Sequence, residues 1–355
     1  MAPANTVSCP GAPRLRPMRW STLMLTVALL AVAAWLALLA ALWFGQEKLL
    51  FHPAPLAADT PLAGSPDVHE VWVGVPGARL NALHLRLPNP DGVVFFLHGN
   101  AGNLQSWFVS AEFYRALNLD LFMIDYRGYG KSSGRIESEA QLHADVRAAW
   151  SSIEPTYRGK RRVIYGRSLG SGLAASLAAD LQPELTVLVS PYFSLQSLAF
   201  EHYRWVPQAL LRYPLRTDLA IPRIKTPVFL AHGERDTLIV PEHSRRLKAL
   251  SPQARLVVVP DAAHNDIHQF EAYLAPLRAA MTSPGTVLAS QGSASKCSDK
   301  TCAGRSRRPH WPRRARPRSA ATRPAQAGLV VLTGLAELGL EVQRQDLRRQ
   351  VSSSS

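Results

Sequence analysis

One pentapeptide and its flanks restrict this chain more than anything else in it. Gly166-Arg167-Ser168-Leu169-Gly170 has the form G-x-S-x-G. It follows the β-branched pair Val163-Ile164 and precedes Gly172-Leu-Ala-Ala-Ser-Leu-Ala-Ala, a helix-prone run. A serine at the tip of a tight strand-to-helix turn sits in a strained backbone conformation, and neighbours without a β-carbon relieve the crowding. The following helix points its N-terminus at a developing negative charge. An ordinary turn serine is the alternative, and the strand and helix on either side argue against it.

The surrounding pattern supplies a sheet for that turn. Strand-like runs fall at Val68–Val75, Leu80–Leu87, Val93–Leu97, Leu121–Ile124, Arg162–Tyr165, Leu185–Val189, Pro227–Ala231 and Leu256–Val259. Helical spacing occupies Leu104–Leu117, Glu137–Trp150, Leu169–Leu181, about 241–250 and about 265–281. The first two runs flank Pro76-Gly77, a hairpin signal. Val93-Val-Phe-Phe-Leu97 is continuously apolar, which suits a strand buried on both faces. Alternating strands and helices predict an α/β fold with a mostly parallel eight-stranded sheet and helices on both faces, over residues 66–283.

A serine hydroxyl is a weak nucleophile; it needs a base, and the base needs an orienting group. At strand–turn–helix sites the partners follow in the order Ser, acid, His. After Val228-Phe-Leu-Ala231 comes His232-Gly-Glu-Arg-Asp236, and after Leu256–Val259 comes Pro260-Asp-Ala-Ala-His264. Asp236 and His264 therefore fall in loops at the C-terminal ends of strands, where open parallel sheets form their sites. Glu234 and Asp261 compete with Asp236. His243 and His268 compete with His264, but both lie on expected helices, where a solvated histidine is the default. His98 and His232 each precede a glycine at a strand end and read as structural turn residues. The backbone N–H groups of Leu169 and of Asn100, in the loop His98-Gly-Asn-Ala-Gly-Asn103, are the expected oxyanion donors. This chemistry requires no metal or organic cofactor.

The segments Phe96-Leu-His-Gly-Asn-Ala-Gly-Asn, Asp125-Tyr-Arg-Gly-Tyr-Gly-Lys-Ser, Tyr165-Gly-Arg-Ser-Leu-Gly-Ser-Gly and His232-Gly-Glu-Arg-Asp resemble membrane-tethered α/β-hydrolases of the lysophospholipase-like and serine aminopeptidase-like group, over roughly residues 20–281. Phe51-His52-Pro53 is similar too. The resemblance implies hydrolysis of acyl esters or thioesters, lipid-derived ones among them, with a peptidase as the alternative, or a tethered binding protein on a hydrolase fold. It also implies that Asp125-Tyr-Arg-Gly braces the site without reacting.

The anchor is legible on its own. Ser21–Phe44 carries no charged residue, and twenty-four residues at about 1.5 Å each exceed the roughly 30 Å of bilayer hydrocarbon. Trp20 and Trp43 sit where interfacial aromatics belong. A cleaved signal peptide would have a shorter apolar run ending in small residues, whereas this one passes into Trp43-Phe-Gly-Gln46. Arg14, Arg16 and Arg19 precede the span, so the N-terminus is expected in the cytoplasm and the α/β domain on the exported side. Residues 45–65, with prolines at 53, 55 and 61, read as an extended tether.

The net charge of +14 would suggest an acidic partner if it were spread over the domain. It is not: residues 284–355 hold thirteen Lys and Arg against four Asp and Glu, and residues 1–20 hold three arginines and no acid. The tail, without apolar periodicity, reads as disordered, and its Arg cluster at 305–318 as solvated in preference to binding nucleic acid or anionic lipid. Cys9, Cys297 and Cys302 all lie outside the domain, so no disulfide framework is expected there. Pro191–Thr226 has room for only one or two short helices. Its aromatics pack among themselves or roof an apolar acyl pocket, and the sequence leaves both open.

Overall fold

The computed structural model describes residues 20–283. The basic N-terminal residues, the three cysteines and the basic tail lie outside them. The chain divides between Gly45 and Gln46 into two units. Helix α1, Trp20–Leu50, makes up the described part of the first unit and runs on into the second. Met24, Leu25, Leu29, Leu30 and Trp35 are all exposed on it. Apolar on every side, α1 is the one helix among the described residues long and apolar enough to cross a membrane.

The second unit is built on one eight-stranded sheet. Its strands are β1 (Val68–Val75), β2 (Ala78–Leu85), β3 (Gly92–Leu97), β4 (Leu119–Ile124), β5 (Arg161–Arg167), β6 (Leu185–Val189), β7 (Val228–Gly233) and β8 (Arg255–Val259). Their spatial order is β8-β7-β6-β5-β3-β4-β2-β1. The opening hairpin is antiparallel, with Val71 opposite Ala82, and β2 runs antiparallel to β4. Every other pairing is parallel. Gly77 takes the left-handed conformation, φ 74°, that the hairpin turn demands.

Central strand β3 shows why a continuous apolar run was needed. Val93, Phe95 and Leu97 face a cluster containing Trp150, Leu173 and Leu177. Val94 and Phe96 face the opposite one, with Tyr273, Leu277 and Met281. Helices α2 (Glu139–Ile153) and α3 (Leu169–Leu181) thus cover one face, and α6 (Glu271–Thr282) the other. Phe95 stacks on Phe122 at 5.8 Å, and Phe96 on Tyr165 at 4.3 Å. Between β6 and β7 lies α4 (Leu195–His202), followed by a short helix at Thr217–Ala220; α5 (Glu242–Leu250) follows β7. The Ser194 hydroxyl caps α4 by accepting from Ser197 N at 2.9 Å.

Three expectations need correction. The helix expected over Leu104–Leu117 is two pieces, Leu104–Trp107 and Ala111–Arg115, broken after Trp107, whose indole N–H donates inward to Ala101 O at 2.7 Å. The helix expected from 265 starts only at Glu271, because Asp266 accepts from Ala263 N at 2.7 Å and a single 3₁₀ turn intervenes. Residues 45–65 are extended in part, as expected, but not free. Gln46–Leu50 complete α1, Phe51 is 5 % exposed, and His52-Pro53 pairs in parallel with Ala101-Gly102. Proline content predicts stiffness, and it is silent about the apolar contacts of a neighbouring phenylalanine.

Candidate active site

Parallel strands bring the loops after β3, β5, β7 and β8 to one edge of the sheet. After β5 the chain turns at Ser168 with φ 51° and ψ −119° and enters α3 directly. Ser168 is thus a non-glycine residue in the left-handed region, a conformation that persists only where its surroundings impose it. Its N–H donates to Val189 O at 2.9 Å. A β-carbon on Gly166 would lie 2.4 Å from Gly170 O, and one on Gly170 would lie 2.1 Å from Leu97 O. A β-carbon on Gly172 would lie 2.3 Å from the Tyr192 hydroxyl, which donates to Leu169 O at 2.8 Å. The glycines of the motif are where backbone meets backbone.

His264, in the loop after β8, places Nε2 3.0 Å from Ser168 Oγ. Its Nδ1 lies 2.7 Å from Asp236 Oδ2. The carboxylate accepts from Nδ1–H, which leaves Nε2 to accept the serine proton. Asp236 also accepts from Leu238 N at 3.0 Å and Ile239 N at 2.8 Å through Oδ1. Burial pushes its pKa up, but hydrogen bonds from His232 and His264 outweigh that, helped by the charge of His264 and the Ile239 N–H. The carboxyl is held well below the ordinary carboxylate range and stays ionised.

Two of the competing residues, Asp261 and His243, are occupied elsewhere. Asp261 pairs with Arg235, and Glu234 is exposed. His243 is not the solvated helix residue expected: it is 1 % exposed, accepting from Phe193 N at 3.0 Å and facing Glu201 at 3.0 Å. Burial lowers its pKa, against the pull of Glu201. His268 falls in the 3₁₀ turn Ile267–Gln269, on a different element from His264.

Two residues have larger roles than their sequence positions suggested. His232 donates from Nε2 to Ile239 O at 2.6 Å, lies 3.3 Å from Asp236 Oδ2, and accepts at Nδ1 from Ser244, 2.7 Å away. It therefore supports the Asp236 loop from beneath, where a turn residue was expected. Arg167, the first variable position of the pentapeptide, donates to the carbonyls of His264 at 3.1 Å and Asn265 at 3.0 Å. Its guanidinium also lies 5.3 Å from the Trp107 ring centre. The signal for Arg167 was a long cation beside Ser168; for His232 it was the spacing of four to Asp236.

The loop after β3 passes close by. A β-carbon on Gly99 would come within 3.6 Å of Ser168 Cβ and 2.8 Å of Trp107. The Asn100 side chain is engaged at both ends, donating to Leu50 O at 2.5 Å and accepting from Tyr129 at 3.0 Å. The N–H of Leu169, first residue of α3, has no acceptor within its own helix. Asp125 accepts from Leu104 N at 3.0 Å, and Tyr126 donates to His98 O at 2.9 Å. Arg127 meets Asp145 through two bonds, 2.5 and 2.9 Å, both side chains 5 % exposed. These contacts suit the bracing role implied for Asp125-Tyr-Arg-Gly. Among the described residues no group of three or more His, Cys, Asp or Glu could hold a metal ion.

A family model described as serine aminopeptidase S33 matches residues 88–217, and one described as the α/β-hydrolase fold matches residues 202–270. An uncharacterized protein of Mycobacterium tuberculosis is 34 % identical over 238 residues, covering 63 % of this chain and 82 % of its own. The α/β-hydrolase domain-containing protein 17B of Homo sapiens is 31 % identical over 209 residues, 57 % of this chain and 70 % of its own. An esterase of Pyrococcus furiosus superposes with a TM-score of 0.53 at 21 % identity, over 65 % of this chain and 96 % of its own, a likeness of fold.

The turn's crowding gives a test of its own. Gly170→Ala should destabilise the protein by about 1–3 kcal/mol, because the opposing atom is a backbone carbonyl that has little room to move. Gly64→Ala, with nothing within 4 Å of the added carbon, should leave thermal unfolding unchanged. Equal melting temperatures for both variants would show that the turn is not close-packed.

Proposed function

We propose that this chain, which belongs to the α/β-hydrolase family, is a membrane-anchored serine hydrolase cleaving acyl esters or thioesters, lipid-derived ones included. The observation that carries the reading is the hydrogen-bonded line from Ser168 through His264 to Asp236, at 3.0 and 2.7 Å. Ser168 Oγ attacks the acyl carbonyl carbon while its proton passes to His264 Nε2. Asp236 holds the imidazole in the required tautomer and faces the imidazolium charge. The N–H groups of Asn100 and Leu169 receive the oxyanion. The intermediate collapses, the bond to the leaving alcohol or thiol breaks, and His264 returns the proton to it. Water then attacks the acyl-serine, giving its proton to His264; the bond to Ser168 Oγ breaks, that proton passes to Oγ, and the free acid departs. No cofactor enters any step.

Anchoring is the second part of the proposal. The apolar length of α1 supports a single span, and the arginines before it support a cytoplasmic N-terminus with the α/β unit on the exported side. A peptidase remains the second reading. The matching family model's description favours it, and the same three side chains cleave amides.

Full-length protein in detergent, offered acyl esters of graded length, thioesters and aminoacyl amides, should turn over esters or thioesters. Ser168→Ala should lower that turnover roughly 10⁴- to 10⁶-fold with the fold intact. Turnover confined to the amides would favour the peptidase, and undiminished turnover in Ser168→Ala would remove the assignment. For topology, a reporter fused after residue 60 should be exported and remain membrane-bound. A soluble, shortened product would mean a cleaved signal peptide.

A further inference from the structure

Phe51-His52-Pro53 directly follows the apolar helix, and the three reacting side chains leave it unexplained. Its surroundings supply the explanation. Asn100 donates to Leu50 O at 2.5 Å, so the end of α1 and the loop after β3 share a hydrogen bond. His52 and Pro53 then lie in register with Ala101 and Gly102. Ala54 N donates to Gly102 O at 3.3 Å, and Asn103 Nδ2 donates to Ala54 O at 2.8 Å. Beyond the pairing, Gly130 N donates to Ala54 O at 3.2 Å and Leu56 N donates to Gly130 O at 2.8 Å. From Asn100 to Asn103 the loop is laced to residues 50–54 at each position.

The lacing strand is itself gripped from behind. Phe51 is 5 % exposed and sets its ring edge-on to Tyr213 at 5.1 Å. Gln46 donates to Leu210 O at 3.0 Å and accepts from Arg212 N at 2.7 Å. Glu47 accepts from the Tyr213 hydroxyl at 2.8 Å and pairs with Arg212 at 2.5 Å. A two-residue ladder is weak by itself, so its position depends on this grip.

We propose that residues 46–56, the last turn of α1 and the strand that follows it, are a positioning segment for the oxyanion loop. They hold the Asn100 backbone where its N–H meets the developing charge, and turnover requires the strand to be seated. The inference rests on the reading of Asn100 as an oxyanion donor. Its physical basis is that such a donor works only when fixed before the reaction; a misplacement of about 1 Å can cost 10²-fold. The Asn100 side chain, fixed at both ends, serves the loop and is not left to contact substrate.

Two variants test the strand in the full-length protein in detergent, with active sites counted by a fluorophosphonate probe. Asn100→Ala keeps the backbone N–H and loses both side-chain bonds. Phe51→Ala loosens the strand from behind. Each should lower kcat per labelled site by about 10- to 100-fold with KM within about twofold. Affinity for a trifluoromethyl ketone analogue, which forms a tetrahedral oxyanion, should weaken by a similar factor. A merely structural role would lower the count of labelled sites and leave kcat per site and inhibitor affinity alone. Asp59→Ala, an exposed position just past the strand, should match wild type. Should Phe51→Ala fail to fold, Asn100→Ala decides. Wild-type kcat and inhibitor affinity in a folded Asn100→Ala would overturn the inference and leave the hydrolase reading standing. Absence of ester, thioester and amide turnover in wild type would overturn that reading and this inference with it.

Discussion

A turn with no room for a β-carbon governs this structure. Ser168 occupies a left-handed conformation, and such strain costs on the order of 1–3 kcal/mol and persists only where the surroundings impose it. Here they do: β5 is buried from Val163 to Gly166, and α3 is buried along most of its length, so strand and helix leave the intervening residue little choice. Gly170 lets the start of the helix approach the Leu97 carbonyl, which brings the loop after β3 to the serine. One steric constraint thus places the serine hydroxyl and the neighbouring loop together.

Electrostatics complete what the turn begins. A carboxylate with 2 % of its residue surface exposed would be costly to ionise if left unpaired. Asp236 is instead surrounded by two imidazoles and two backbone N–H groups. His232 reaches it from the strand itself, and Arg167 fastens the loop carrying His264 from the strand that leads into Ser168. The partners of Ser168 are therefore positioned from both sides. The buried Arg127–Asp145 pair ties the loop after β4 to α2, further back.

Much of this was legible because it is local. The pentapeptide needs only its neighbours to be understood, and the burial of Val93–Leu97 on both faces follows from an unbroken apolar run. Asp236 and His264 were recognisable by chain order and by their place past strand ends. What stayed hidden depends on distant contacts. Nothing near His243 in sequence announces Phe193 and Glu201, and nothing in a proline-rich stretch announces that Phe51 will meet Tyr213, 162 positions later. The break after Trp107 has the same origin, since its indole answers a carbonyl in the preceding loop. Local propensity describes a segment; which surface it meets is settled by the fold.

The proposed reaction passes through a covalent acyl-serine, and that species can be weighed. The full-length protein mixed with a slowly deacylating ester, quenched in acid and digested, should yield the peptide containing Ser168 heavier by one acyl group less a hydrogen. The label should be absent from His264→Ala quenched at the same early time. An adduct on another residue, or steady turnover with none on Ser168 under conditions where deacylation limits the rate, would contradict the account.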